Sequence, residues 1–75
     1  MRTLSLSEVG ELKRMLKEKF RMELHLHDTC GGQSFSFDVV PSDALVRAVD
    51  RYFAPKRLKA VFSEDMLRFT VEGRF

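Results

Sequence analysis

The stretch MELHLHDTCGGQSFSFDV, residues 22–39, alternates apolar and polar residues in two runs around a glycine-containing segment. Strict alternation is typical of a β-strand with one buried face. We therefore predict strands over residues 22–28 and 34–39, joined by a four-residue loop over 29–32. Cross-strand partners share a face, so Leu26 is expected opposite Phe35, Leu24 opposite Phe37 and Asp28 opposite Gln33. The reverse face of this hairpin would then carry His25 and His27, opposite Ser36 and Ser34.

The flanking segments predict two helices and a second hairpin. Residues 7–21 place apolar side chains three or four positions apart, and Ser5 with Glu8 has the spacing of a capping box. A second helix is predicted to begin after Ser42 and to stop before Pro55. Alternation returns over residues 57–62 and 67–72, which predicts two more strands joined by a loop over 63–66.

The predicted order is α-β-β-α-β-β in a single domain, residues 1–75. Because each helix has one apolar stripe and each strand one apolar face, we predict an α+β fold of two layers. Both helices would pack on one face of a four-stranded, mostly antiparallel sheet.

The halves 1–40 and 41–75 resemble two αββ repeats. Shifting by 33 places Leu12, Leu16 and Phe20 on Leu45, Val49 and Phe53, whereas shifting by 34 superimposes the hairpins. In that second alignment, Leu24, Leu26, Phe35 and Phe37 fall on Leu58, Ala60, Phe69 and Val71. Alternation makes almost any two hairpins superimpose, so a duplication and a coincidence both remain open.

Composition narrows the class of protein. The chain is 44% hydrophobic and 32% charged, which is ordinary for a globular domain and too apolar for a disordered one. No apolar run approaches the roughly 18 residues of a membrane span, so we expect no membrane partner. One cysteine forms no internal disulfide and suits a reducing compartment, and the first ten residues lack an apolar export signal. The expected location is the cytoplasm.

Basic residues do not favour nucleic-acid binding. The net charge is only +2, and acidic neighbours interrupt both basic groups. No aromatic side chain falls on the predicted outer face of the sheet, where bases would stack. Weak nucleic-acid binding stays a second alternative. It would use the basic stripe of helix 1, which is Lys13, Arg14, Lys17 and Arg21, and the basic residues of the second hairpin, which are Lys56, Arg57, Lys59 and Arg68.

One local cluster suggests chemistry. His25 and His27 project from the same strand face, and Cys30 follows just beyond the strand end. Imidazoles and a thiolate are ligands for zinc, nickel or copper, so His25, His27 and Cys30 form a candidate metal site. Cys30 with His27 is also the minimum for a nucleophilic thiol. No third residue orients that pair, and solvent-facing histidines on a one-sided sheet explain the pattern as well. We therefore expect no cofactor and, on balance, no enzyme.

The segment from His25 to Ser34 resembles the defining stretch of a family of short bacterial proteins of unknown function. That family is named for an Arg-Asp-Ala-Cys tetrapeptide followed by Gly-Gly-Gln. The motif loop here matches it at five positions and departs from it at His27 and Thr29; the matches are Asp28, Cys30, Gly31, Gly32 and Gln33. The resemblance implies no activity, cofactor or partner, and it directs attention away from His27 as a ligand. A structural role is also open, because an aspartate at position 28 can accept amide hydrogens of the loop.

The sequence therefore predicts a non-catalytic protein-interaction or regulatory module. Free sheet edges invite strand addition by a protein partner or a homodimer. Val61 on the outer face, with Leu4, Leu6 and Phe75 near the ends, would contribute to such a surface or fold back over the core. The alternative is a metal- or thiol-dependent site at His25, His27 and Cys30.

Overall fold

The computed structural model describes residues 2–29 and 31–74, and it confirms the α+β fold and the element order. The described residues form two helices and four strands in the predicted order, with a short 3₁₀ turn over Ala54–Lys56 after the second helix. The elements are α1 (Leu6–Phe20), β1 (His25–Thr29), β2 (Gly32–Ser36), α2 (Asp43–Phe53), β3 (Leu58–Phe62) and β4 (Arg68–Gly73).

Side-chain caps begin both helices. The Glu8 amide donates to Ser5 Oγ at 3.1 Å and the Ser5 amide donates to Glu8 Oε1 at 2.9 Å, which completes the predicted capping box. Ser42 Oγ accepts from the Leu45 amide at 3.2 Å and begins α2. The second helix ends at Phe53, and Pro55 lies in the 3₁₀ turn that follows.

The exit from α1 shortens the first strand. Arg21 adopts the left-handed conformation with φ 56°, and the Met22 amide donates back to the Leu16 carbonyl at 3.3 Å. A left-handed residue followed by an amide that donates back into the last helical turn is typical of a helix C-terminus. The backbone at residues 21 and 22 therefore ends the helix, and β1 begins at His25 instead of the predicted residue 22.

The described strands lie in the order β1-β2-β4-β3, and each neighbouring pair is antiparallel. The predicted register is confirmed where Leu26 pairs with Phe35 and Asp28 pairs with Gln33. The predicted four-residue loop is wrong, because Thr29 pairs with Gly32 and leaves only two residues between the paired positions. Gly32 has a φ of 123°, a conformation that disfavours any side chain.

Both helices cover the same face of the sheet, and the core lies between the two layers. Phenylalanines from three strands and α2 meet at its centre, where Phe35 stacks on Phe69 with ring centroids 5.0 Å apart. The buried apolar side chains are Leu4, Val9, Leu12, Leu16, Leu24, Phe35, Phe37, Leu45, Val49, Phe53, Phe69 and Val71.

The segment before α1 joins the two central strands. The Arg2 amide donates to the Val71 carbonyl on β4 at 2.7 Å. The Gln33 side chain on β2 pairs with the backbone of Leu4, accepting from its amide at 2.8 Å and donating to its carbonyl at 3.3 Å. Leu4 is thus folded over the core, whereas Leu6 is exposed. Phe75 lies outside the described residues.

The strand pairings relate the two hairpins by a local two-fold axis. Phe35 and Phe69, separated by 34 positions, are directly opposite each other on β2 and β4. The shift of 34 positions does not hold for the outer strands. Leu26 on β1 pairs with Phe35, and the residue of β3 that pairs with Phe69 is Phe62. Leu26 therefore matches Phe62 and not Ala60. A duplicated origin for the halves 1–40 and 41–75 stays a prediction.

Candidate functional site

The two histidines lie on the outer face of β1, which is an edge strand of the sheet. His27 Nε2 is 2.7 Å from Ser36 Oγ, and His25 Nε2 is 3.0 Å from an Asp38 carboxylate oxygen. Each ring reaches past its directly paired residue to the side chain two positions further along the chain. One nitrogen of each imidazole therefore lies within hydrogen-bonding distance of a side-chain oxygen.

Two residues of the predicted metal site, His25 and His27, are thus located in the structure. Cys30 lies outside the described residues. Within residues 2–29 and 31–74, no three side chains of histidine, cysteine, aspartate or glutamate form a group that could hold a metal ion. A metal or thiol site at His25, His27 and Cys30 therefore stays a prediction that depends on the thiol.

The motif loop contains a structural anchor that the sequence reasoning missed. Asp28 is exposed and Gly31 lies in the turn, whereas Gln33 is only 4% exposed and clamps Leu4. Gln33 shares strand parity with Phe35 and Phe37, so it points toward the core. The sequence did contain a signal, namely a polar residue at a position that alternation assigns to the core. Such a residue needs a buried hydrogen-bond partner.

The other edge of the sheet is β3, whose backbone is open on one side. The Arg74 amide donates to the Arg57 carbonyl at 2.8 Å and the Ser63 amide to the Arg68 carbonyl at 2.9 Å. Antiparallel ladders alternate, so the backbone groups of Leu58, Ala60 and Phe62 are directed away from β4. No described strand pairs with that side of β3.

Arg74 covers one end of this open edge. Its Nε donates to the Leu58 carbonyl at 3.0 Å, and its guanidinium also pairs with Asp50. Its side-chain hydrogen bonds do not involve Ala60 or Phe62, whose outward amide and carbonyl groups lie further along the strand. These two residues form the accessible part of the ladder.

Apolar side chains flank the open edge on both faces. Leu58, Ala60 and Phe62 face the helix layer but are only half-buried, since no described strand lies beside them on the open side. Val61 is 43% exposed on the outer face. Beside it lies a shallow depression of about 330 Å³, lined by Ser34, Val61, Phe62, Ser63, Arg68, Phe69 and Thr70. On the other edge strand, β1, the side chains that flank Leu26 on the outer face are the polar residues His25 and His27.

Charge is unevenly distributed along β3. Basic residues occupy its start and acidic residues follow its end, namely Lys56, Arg57 and Lys59 against Glu64 and Asp65. Lys56 Nζ is 3.3 Å from Glu8 and 5.2 Å from the centroid of the Tyr52 ring, so it is partly engaged. Asp65 accepts from Ser63 Oγ at 2.6 Å and from the Leu67 amide at 3.0 Å. These hydrogen bonds lower the pKa of Asp65 below its ordinary value of 3.8.

The basic stripe of α1 is exposed, but part of its charge is paired. Lys17 Nζ lies 2.7 Å from Glu23 Oε1, and this contact lowers the pKa of the Glu23 carboxyl. Such exposed pairs contribute little to stability, yet they reduce the charge available to a phosphate backbone.

Comparison with known proteins identifies no family: no family model, no curated protein and no solved structure matches the chain. The resemblance to the Arg-Asp-Ala-Cys family therefore stays a prediction. None of the described helices has the length and apolar character needed to cross a membrane.

Proposed function

We propose that the protein is a non-catalytic interaction module that binds another polypeptide strand along β3. The observation that carries this proposal is the open backbone of Ala60 and Phe62 on a strand with apolar side chains on both faces. Such an edge is a template for an added strand, and soluble domains usually protect it. The single cysteine fits a cytoplasmic setting for this activity.

A docked strand would gain from two kinds of contact. Main-chain hydrogen bonds to Ala60 and Phe62 would supply affinity, as in other cases of strand addition. Its apolar side chains would cover Leu58, Ala60 and Phe62 on one face and the exposed side of Val61 on the other. The β1 edge offers the same backbone pattern with polar surroundings, so it is the natural control.

Selection of random peptides of about eight residues, displayed on phage, tests the proposal with the whole chain as bait. The Ala60→Pro variant removes an outward amide that donates nothing to β4, so the sheet should persist. Asp28→Pro makes the matched change on the β1 edge. We expect peptides selected by the wild type to lose at least about tenfold in affinity for Ala60→Pro and to keep their affinity for Asp28→Pro.

Two further readouts complete this test. Circular dichroism and thermal unfolding must show that both variants remain folded. Binding should shift the amide signals of residues 58–62 in NMR spectra. A selection that yields no peptide distinguishing the wild type from folded Ala60→Pro would refute strand addition at β3.

A further inference from the structure

We propose that the strand that docks on β3 is β3 of a second copy of this chain, running antiparallel about a two-fold axis beside Val61. This inference rests on the proposed function and names its partner. The two four-stranded sheets would join into one sheet of eight strands, with both helix layers on the same side.

The accessible backbone groups select this register. If Val61 lies opposite Val61 of the second copy, Ala60 lies opposite Phe62 of that copy and Phe62 lies opposite its Ala60. These are the two residues whose amides and carbonyls point outward and are clear of Arg74. Each such pair exchanges two hydrogen bonds, so the interface would contain four. Leu58, whose carbonyl already accepts from Arg74, is not needed in this ladder.

Side chains on both faces suit the same register. The two Val61 side chains would meet at a non-hydrogen-bonded pair, where opposed residues approach most closely. Each would cover the exposed side of the other on the outer face. On the helix side, small Ala60 would face large Phe62, so each pair would combine a small side chain with a large one.

Charge selects the antiparallel direction. A two-fold axis beside Val61 brings the basic start of each strand against the acidic end of its copy. Lys56, Arg57 and Lys59 would then lie near Glu64 and Asp65 of the second copy. A parallel arrangement would instead place like charges together, which is destabilising.

Sedimentation equilibrium of the full chain tests this arrangement, with a reductant present so that a disulfide through Cys30 does not mimic a dimer. We expect a concentration-dependent dimer for the wild type. Val61→Lys and Val61→Glu each place like charges at the axis, so each dissociation constant should rise at least about tenfold. An equimolar mixture of the two variants should recover a heterodimer, because opposite charges then meet.

Thr70 supplies the matched control, because it lies opposite Val61 on β4 and on the same outer face. Thr70→Lys and Thr70→Glu should leave the dimer intact, whereas two outer faces stacked on each other would make them as harmful as the Val61 changes. A monomeric wild type, or a dimer that ignores charge at Val61, would overturn the inference. Peptide binding that is lost in Ala60→Pro would still support strand addition in that case, so the two proposals fail separately.

Discussion

Phe35 and Phe69 lie directly opposite each other on the two central strands, with ring centroids 5.0 Å apart and planes 15° from parallel. Phe69 also contacts three more phenylalanines, at centroid distances of 5.9 Å, 6.4 Å and 5.1 Å for Phe37, Phe53 and Phe62. One side chain therefore joins both hairpins to α2. The domain is small, so its stability depends heavily on this contact centre.

Replacement of Phe69 by alanine should destabilise the domain by about 3–5 kcal/mol, since it removes a fully buried ring and leaves a cavity. That loss approaches the total stability of a chain of this size. Phe69→Leu keeps more of the packing and should remain folded with a smaller loss. Urea unfolding measures both variants, and Phe20→Ala at a half-buried position is the control. Equal losses for Phe69→Ala and Phe20→Ala would show that Phe69 is not the centre of the core.

Much of the sheet was predictable because period-2 alternation restricts register. Leu26 and Phe35 had to share a face, and the actual pairing follows. The bounds near α1 were not predictable from alternation, because Met22 continues the apolar pattern while its amide ends the helix. Local hydrogen-bond demand at a helix terminus overrode the strand pattern there.

The β3 edge was harder to predict from the sequence. Alternation identified Val61 as an outward apolar residue, but strand order decides that β3 and β1 are the edges. Connections from β2 to α2 and from α2 to β3 are compatible with more than one order. The N-terminal contact of Leu4 with Gln33 also joins residues 29 positions apart, beyond the reach of any local pattern.

Gln33 should matter for stability although it has no partner in the helices. Gln33→Ala would leave the buried Leu4 amide without its acceptor, at an expected cost of about 1–3 kcal/mol. Hydrogen exchange should show faster exchange of the Leu4 amide, and urea unfolding gives the free energy. Gln33→Glu keeps an acceptor but loses the donor to the Leu4 carbonyl. If Leu4 exchange is unchanged in Gln33→Ala, the clamp contributes nothing.

Glu8 should make stability depend on acid pH. The amide of Ser5 donates to its carboxylate, and this bond lowers the pKa below the ordinary value of 4.5. A lowered pKa in the folded state means that the stabilising contribution is present above pH 4.5 and is lost as the pH falls through and below that value. Glu8→Gln should therefore be less stable than the wild type near neutral pH, by up to about 1 kcal/mol. Unfolding curves measured across the acid range should show the two proteins converging, and a constant difference would contradict this assignment.

Tyr52 is the single tyrosine of a chain without tryptophan, so phenolate absorbance reports it alone. Burial, with a hydrogen bond to Glu11 at 2.9 Å, raises the pKa of Tyr52 above its ordinary value of 10.0. A raised pKa means that this stabilisation is complete below pH 10 and is lost as the pH rises. We expect phenolate to form only above pH 10, together with loss of structure in circular dichroism. Glu11→Gln removes the charge and should move the titration toward 10.0, whereas free titration at 10.0 in the folded wild type would contradict the contact.

The histidine pair on β1 should bind zinc only weakly. Each ring already has one nitrogen near an oxygen of Ser36 or Asp38, and two imidazoles alone leave a zinc ion short of its usual ligands. In a zinc titration followed by NMR, we expect Cys30→Ser to change the affinity by less than about tenfold. His25→Gln, at the more exposed ring, is the matched change on the strand. A saturable response that disappears in Cys30→Ser would instead establish the thiol as a ligand and favour the metal hypothesis for the motif loop.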